Sequence, residues 1–146
     1  MKYTPFYLFA ILFSLINVCD YNGPVNGPEI NYIGFDHSDC LNGENGLLKS
    51  AATCLQNWRY DNDILTLYLH YTANCCPDFK DSVAMDYERI DLYLYDKISA
   101  CDCYCEYNAD FSFVYPSPGK TRVLFHFKET NSIEYTTQLD TVIVVQ

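Results

Sequence analysis

The chain has 146 residues, 49% of them apolar and 16% aromatic, and its 19 Asp+Glu against 9 Lys+Arg give a formal net charge of −10. That excess of negative charge repels phosphate backbones and anionic headgroups, which argues against nucleic acid as a partner and against electrostatic docking on a membrane. The length suits a single domain, and the aromatic content is enough to build a hydrophobic core with no cofactor or structural metal.

Met1-Lys2-Tyr3 and the apolar run from Pro5 to Val18 have the form of a positive n-region and a short h-region. A membrane-spanning helix needs roughly 20 apolar residues, and this run stops short at Cys19-Asp20-Tyr21. Residues 1–18 are therefore expected to be a cleaved signal. Leu15-Ile16-Asn17-Val18-Cys19 resembles a bacterial lipoprotein signal, in which the cysteine is acylated and becomes the mature N-terminus. Val18 departs from the small residue preferred there, but no small-x-small cleavage site precedes Cys19. The expectation is a lipid anchor on Cys19, with ordinary cleavage nearby and an uncleaved anchor as the alternatives. The protein is then extracytoplasmic: a membrane-anchored lipoprotein in the periplasm or on the outer surface, or a secreted protein. Residues 19–31, with Asn22-Gly23-Pro24 and Asn26-Gly27-Pro28, lack periodicity and are expected to form a flexible tether.

From residue 32 to 146 the dominant period is two, which indicates one β-sandwich domain. Leu65, Leu67, Leu69 and Tyr71 alternate with Thr66, Tyr68 and His70 on a strand from about Ile64 to Thr72. Asp61-Asn62-Asp63 ahead of it lacks the glycine and the terminal glutamate of an EF-hand loop, and is expected to be a hairpin turn with side chains bonded to the local backbone. Val83 and Met85 mark a second alternation. Ile90, Leu92 and Leu94 oppose Asp91, Tyr93 and Tyr95 on a third strand, and a long extended segment places Cys103, Cys105, Tyr107, Ala109, Phe111, Phe113 and Tyr115 on one side. After the Pro116-Ser117-Pro118-Gly119-Lys120 loop, Val123, Phe125 and Phe127 alternate with Leu124 and His126. Thr130-Asn131-Ser132 reads as a turn, and a pair of short strands, about Ile133 to Thr137 and Thr141 to Val145, is expected to close the chain. Only Leu47 to Thr53 suits a short helix. Short strands with regular turn signals fit an all-β, antiparallel, immunoglobulin-like β-sandwich.

Eight cysteines in an exported chain point to disulfides, each worth about 2–4 kcal/mol for loops of this size. The disulfide candidates are Cys40, Cys54, Cys75, Cys76, Cys101, Cys103 and Cys105. Cys40 and Cys54 enclose a 13-residue loop and suit one another, which leaves Cys75 or Cys76 to meet the strand that carries Cys101, Cys103 and Cys105. Acylation of Cys19 leaves seven cysteines, so one stays free or pairs between molecules. The competing reading is a thiolate cluster of Cys75, Cys76, Cys101, Cys103 and Cys105 for Cu(I) or Zn(II). Sulfurs at alternate positions of one strand stand about 6.5–7 Å apart, too far to chelate an ion unaided, and no metal site is assigned. No C-x-x-C occurs to suggest a redox pair.

Asn74-Cys75-Cys76-Pro77, then Cys101-Asp102-Cys103-Tyr104-Cys105-Glu106-Tyr107-Asn108 and Ser117-Pro118-Gly119-Lys120, resemble a family of small uncharacterised secreted proteins and lipoproteins of Gram-negative bacteria, over about Asn57 to Phe127. The resemblance implies a disulfide-bearing β-sandwich and no particular activity. The chain departs from the family after Gly119, where Lys120-Thr121-Arg122 replaces an aromatic turn.

His37, between Asp36 and Asp39, is expected in a solvated loop, and His70 and His126 on an outer face or edge. No G-x-S-x-G, H-E-x-x-H, phosphate loop or dinucleotide motif is present, so no catalytic residue is assigned. Tyr68, Tyr93 and Tyr95 lie opposite the apolar faces, where exposed tyrosines suit a protein or glycan partner. The reading is a non-enzymatic envelope protein, a binding or accessory module, with the thiolate metal protein as the alternative.

Overall fold

The computed structural model describes residues 30–41, 52–86, 88–98, 103–115 and 118–146. These form eight strands and, among the described residues, no helix: β1 (Asn31–His37), β2 (Cys54–Asp61), β3 (Ile64–Asn74), β4 (Phe79–Met85), β5 (Arg89–Asp96), β6 (Tyr104–Val114), β7 (Gly119–Lys128) and β8 (Thr136–Val145). Two four-stranded sheets result, the first in the order β1-β6-β3-β2 and the second in the order β4-β5-β7-β8. The signal and the acylated Cys19 of the sequence reading lie outside the described residues, and β1 opens at Asn31, where the tether was expected to end.

Inward side chains of the two sheets make one core. Leu65, Leu67, Leu69 and Tyr71 of β3 and Tyr107, Phe111 and Phe113 of β6 bury completely or nearly so, facing Ile90, Leu92 and Leu94 of β5 and Val123, Phe125 and Phe127 of β7. Aromatic rings meet across the gap. Phe111 contacts Phe125 edge to face at 6.4 Å, and Tyr71 reaches both Phe125 (5.6 Å) and Phe79 (5.7 Å). One side of the sandwich is closed by β1 against β4, where Tyr32 donates to Asp81 and Phe35 packs on Phe79. Burial and the adjacent Asp81 carboxylate push the Tyr32 hydroxyl well above its ordinary pKa, so it stays a donor. At the opposite side Thr53 Oγ1 donates to Gln138 Oε1 at 2.7 Å.

The all-β, disulfide-bearing sandwich expected from the sequence is the architecture observed, with two corrections of detail. The pairing is not wholly antiparallel, because β5 and β7 run parallel from Arg89↔Arg122 to Tyr95↔Lys128. Parallel neighbours need a long crossover, and here β6 supplies it by passing through the other sheet. That pair is absent from the antiparallel sheets of constant-type immunoglobulin domains. The two closing strands are in fact the single strand β8, which follows β7 from Val145 back to Thr136 across one irregularity opposite Phe125 and His126.

Two strands that the alternation did not reveal, β1 and β2, form the edges of the first sheet. The β2–β3 hairpin turns on Asn62 and Asp63, both at positive φ (50° and 61°), as a two-residue turn with matching twist requires and as Asn and Asp tolerate. The Asp side chains there do not bond the local backbone as expected: Asp63 accepts from the Tyr60 hydroxyl at 3.1 Å, and Asp61 pairs with Arg59 at 3.1 Å. Ser132 N donates to Glu129 O at 2.9 Å in the turn expected around Asn131. The helix expected over Leu47 to Thr53 lies mostly outside the described residues, and Ala52 and Thr53 are not helical.

Phe111 sits where both sheets meet, so Phe111→Ala is expected to cost about 3–5 kcal/mol by leaving a cavity. Equilibrium urea unfolding of the two proteins measures it.

Candidate functional site

Disulfides gather at one end of the β3–β6 ladder. Cys40, just past β1, bonds Cys105 of β6 with Cα atoms 5.4 Å apart, and Cys75, just past β3, bonds Cys103 with Cα atoms 5.6 Å apart. Cys76 is also disulfide-bonded; its partner lies outside the described residues, as do Cys19 and Cys101. Cys54 is a free, exposed thiol. The expected Cys40–Cys54 bridge therefore does not form, and the topology gives the reason. The two residues belong to opposite edges of a four-stranded sheet, three strand spacings or about 14 Å apart, well beyond disulfide reach. The meeting of Cys75 with the C-x-C-x-C strand is as expected. Bonded in disulfides, Cys75, Cys76, Cys103 and Cys105 offer no thiolates for the metal cluster of the alternative reading.

The histidines divide among three environments. His37 is exposed, as expected, but it ends β1 rather than lying in a loop, and its ring meets Phe79 (5.1 Å) and Tyr107 (6.2 Å) edge to face, with Nδ1 at 2.9 Å from Ser38 O. His70 faces outward on the first sheet, with Nδ1 3.1 Å from Asn108 Oδ1 and Nε2 3.7 Å from Glu106 Oε2. His126 faces outward on the second sheet and lies at the centre of a network that sequence reasoning did not assemble.

That network occupies the outer face of the second sheet. Register sets its rows: Lys80 beside Tyr95 beside Lys128, then Ser82 beside Tyr93 beside His126 beside Thr137, then Asp91 beside Leu124 beside Asp140, then Arg89 beside Arg122. Asp91 is only 7% exposed, yet it keeps its charge because its partners satisfy it. Arg89 binds it twice, through Nε at 2.5 Å and Nη2 at 2.7 Å, and His126 Nε2 approaches Oδ1 at 2.8 Å. The Arg89 bonds hold the Asp91 carboxyl below its ordinary pKa against the opposing effect of burial, with His126 assisting. Facing a carboxylate, Nε2 must donate; in the neutral ring Nδ1 then accepts from the Thr137 hydroxyl at 2.9 Å. Arg122 grips Asp140 in the same bidentate fashion, at 2.8 and 2.6 Å. Asp91, His126 and Thr137 have the group types of a nucleophilic triad, but Arg89 already neutralises the carboxylate and the hydroxyl stands on an open strand. The chain of bonds fixes the imidazole.

Aromatic rings complete the face. Tyr93 stacks on His126 with centroids 4.6 Å apart and planes 17° from parallel, and meets Tyr135 edge to face at 5.2 Å. The Lys128 ammonium lies over Tyr95 (5.1 Å) and Tyr135 (5.8 Å). Tyr93 and Tyr95 are half-buried rather than exposed, as is Tyr68 on the other sheet, while Tyr135 at the rim is 42% exposed.

Charge is divided between the two outer faces. Of the seven lysines and arginines among the described residues, five (Lys80, Arg89, Lys120, Arg122 and Lys128) project from the outer face of the second sheet. Its two carboxylates, Asp91 and Asp140, are both taken by arginines. The first sheet presents Asp36, Asp61, Glu106 and Asp110 outward, with Arg59 as its cation. Asp36 and Asp110 are cross-strand neighbours, and burial, with a smaller contribution from Asp36, raises the Asp110 pKa. The signal for the cationic face was present in the sequence: Lys120, Arg122, His126 and Lys128 share the outward phase of β7.

Comparison with protein-family models, with curated proteins and with solved structures returns no match to this chain.

Two outcomes test this geometry. Asp91 has a depressed pKa in the folded state, so its contribution to stability is present above its unfolded pKa, about 3.9, and is lost as pH falls through the lower folded value. The stability gap between wild type and Asp91→Asn in urea melts is expected to be full at neutral pH and to shrink below about pH 4. Alkylation of the unreduced, unfolded protein is expected to modify Cys54 and to spare Cys40, Cys75, Cys103 and Cys105, as read by peptide mass mapping.

Proposed function

We propose that this chain is a non-enzymatic binding module of the cell envelope, carried out of the cytoplasm by residues 1–18 and either anchored through lipid on Cys19 or secreted. Its sandwich is immunoglobulin-like in architecture rather than in strand order, and its contact surface is the outer face of the second sheet. The observation that carries this reading is the segregation of charge. An acidic chain with no need of basic residues for its core sets five of the seven described ones on one tyrosine-bearing surface, where bidentate aspartates hold Arg89 and Arg122 and two tyrosine rings flank Lys128.

Disulfides support the compartment, since they form and persist where the environment is oxidising. The Cys75–Cys103 bond also joins the N-C-C and C-x-C-x-C stretches that carry the resemblance to small Gram-negative secreted proteins and lipoproteins, and the Cys40–Cys105 bond ties the second of them to the end of β1. A rigid sheet with pre-positioned side chains suits recognition, because little rotamer freedom is lost on contact.

Site-specific photo-crosslinking in the native envelope tests the module. Ser82, exposed on the outer face of the second sheet, is expected to capture a macromolecular partner when replaced by a photoreactive residue, whereas the same residue at Asp61 on the first sheet is expected to capture none. Equal capture at both positions, or none at Ser82, overturns the assignment of the face.

A further inference from the structure

We propose that the ligand of this face is a carboxylate-bearing polysaccharide, an inference that rests on the binding-module reading and names its ligand class. Donors dominate the surface. Lys80 and Lys128 flank Tyr95 across the sheet, two strand spacings or roughly 10 Å apart, a span that a disaccharide unit bridges. Lys128 is held in place by the two tyrosine rings around it, so its charge is offered without much loss of side-chain freedom. Arg89 and Arg122 each use two nitrogens on their aspartates, and a guanidinium carries five N–H donors, so each retains capacity for an anion.

The carboxylates and the imidazole of the face are engaged. Both oxygens of Asp91 and both of Asp140 receive arginine N–H groups, and His126 is bonded at both ring nitrogens. A peptide laid here would bring a row of backbone N–H groups to a face whose uncommitted acceptors are the Ser82 and tyrosine hydroxyls, and each N–H left without one costs about 1–3 kcal/mol. A polyuronate brings carboxylate, ring and hydroxyl oxygens, which the ammonium, guanidinium and phenol groups can satisfy, and its C–H faces suit the exposed ring of Tyr135.

The net charge of −10 opposes any polyanion, and distance decides how much. The acidic side chains of the first sheet lie beyond the core, at least one sheet spacing of about 10 Å behind the cationic face, while the Debye length is about 8 Å at physiological salt, 30 Å at 0.01 M and 3 Å at 1 M. Near 0.1 M the ligand meets the cationic face, with the exposed Glu88, Glu129 and Glu134 at the ends of its strands, and is shielded from the far face. At 0.01 M it feels the whole molecule, and at 1 M even contact pairs are screened. Affinity is therefore expected to peak at intermediate salt, which a uniformly charged surface does not produce.

The test is a calorimetric titration of the full-length mature protein with polygalacturonate as probe, with dextran and poly-L-glutamate as controls. Expected are binding to polygalacturonate with a maximum near 0.1 M salt, none to dextran, and an affinity about tenfold lower in Lys80→Gln/Lys128→Gln, with Arg59→Gln unchanged. Circular dichroism and urea melts establish that the variants fold. Equal or tighter binding of poly-L-glutamate overturns the proposal in favour of an acidic peptide, and undiminished binding by the double variant overturns the site. Absence of polygalacturonate binding while Ser82 still crosslinks overturns the ligand class and leaves the module standing; absence of both removes the module as well.

Discussion

Everything in this molecule is hung on the pairing of β3 with β6. Eleven consecutive residue pairs run from Ile64↔Val114 to Asn74↔Tyr104 without a shift of register. That continuity stacks Leu65, Leu67, Leu69 and Tyr71 beside Phe113, Phe111, Ala109 and Tyr107, a wall of apolar side chains that alone defines one side of the core. The edge strands β1 and β2 attach to its two flanks, and the disulfides attach to its Cys103 and Cys105 end. At the far end Tyr115 N donates to Asp63 O at 2.7 Å, and its hydroxyl meets the buried Thr121 at 2.5 Å, which ties the ladder to the start of β7.

Register in the core and chemistry on the surface are then the same fact. On β7 the inward residues Thr121, Val123, Phe125 and Phe127 alternate with Lys120, Arg122, Leu124, His126 and Lys128. Slipping the strand by one residue would send the cations into the core and the aromatics into water. The hydrophobic demand that fixes β7 therefore fixes the cationic face as well, and the parallel pairing with β5 places Asp91, Tyr93 and Tyr95 beside it in the order that lets them bond.

How much of this could be read from the chain depended on where its strands carry irregularities. β3, β5 and β6 lie inside their sheets and pair regularly with one another or across, and their alternation was plain. β1 and β2 were missed because each is shifted: the register slips between Tyr32 and Gly34, and again between Leu55 and Asn57. A bulge changes the phase of a strand, so Tyr32 and Phe35, or Leu55 and Trp58, point the same way at a spacing of three and imitate no period at all. The slip near His126 likewise made β8 read as two pieces. The cysteine pairing failed for a different reason. Loop length favoured Cys40 with Cys54, and only the sheet order shows that the two stand on opposite edges. The network around Asp91 was illegible because it joins strands 35 residues apart in sequence, with a neighbour relation set by a crossover that no local pattern records.

The position of Asp91 links the stability of the second sheet to the geometry of its outer face. A carboxylate with so little exposure is costly to hold in a sheet, and buried ion pairs replaced by apolar residues of similar volume are often neutral or more stable. Leu124 next to it shows that an apolar side chain packs at that depth. In this sheet the charge nevertheless contributes to stability, because Arg89 and His126 hold the folded carboxyl below its ordinary pKa. What the carboxylate does is fix other groups: it orients the Arg89 guanidinium through two bonds and the His126 ring through a third, and His126 in turn carries Tyr93 on its face. A single buried anion thus sets the positions of a cation, an imidazole and a phenol on the outer face of the sheet. The bonds that stabilise the buried carboxylate are therefore the same bonds that set the geometry of the outer face, so a substitution at Asp91 disturbs both at once.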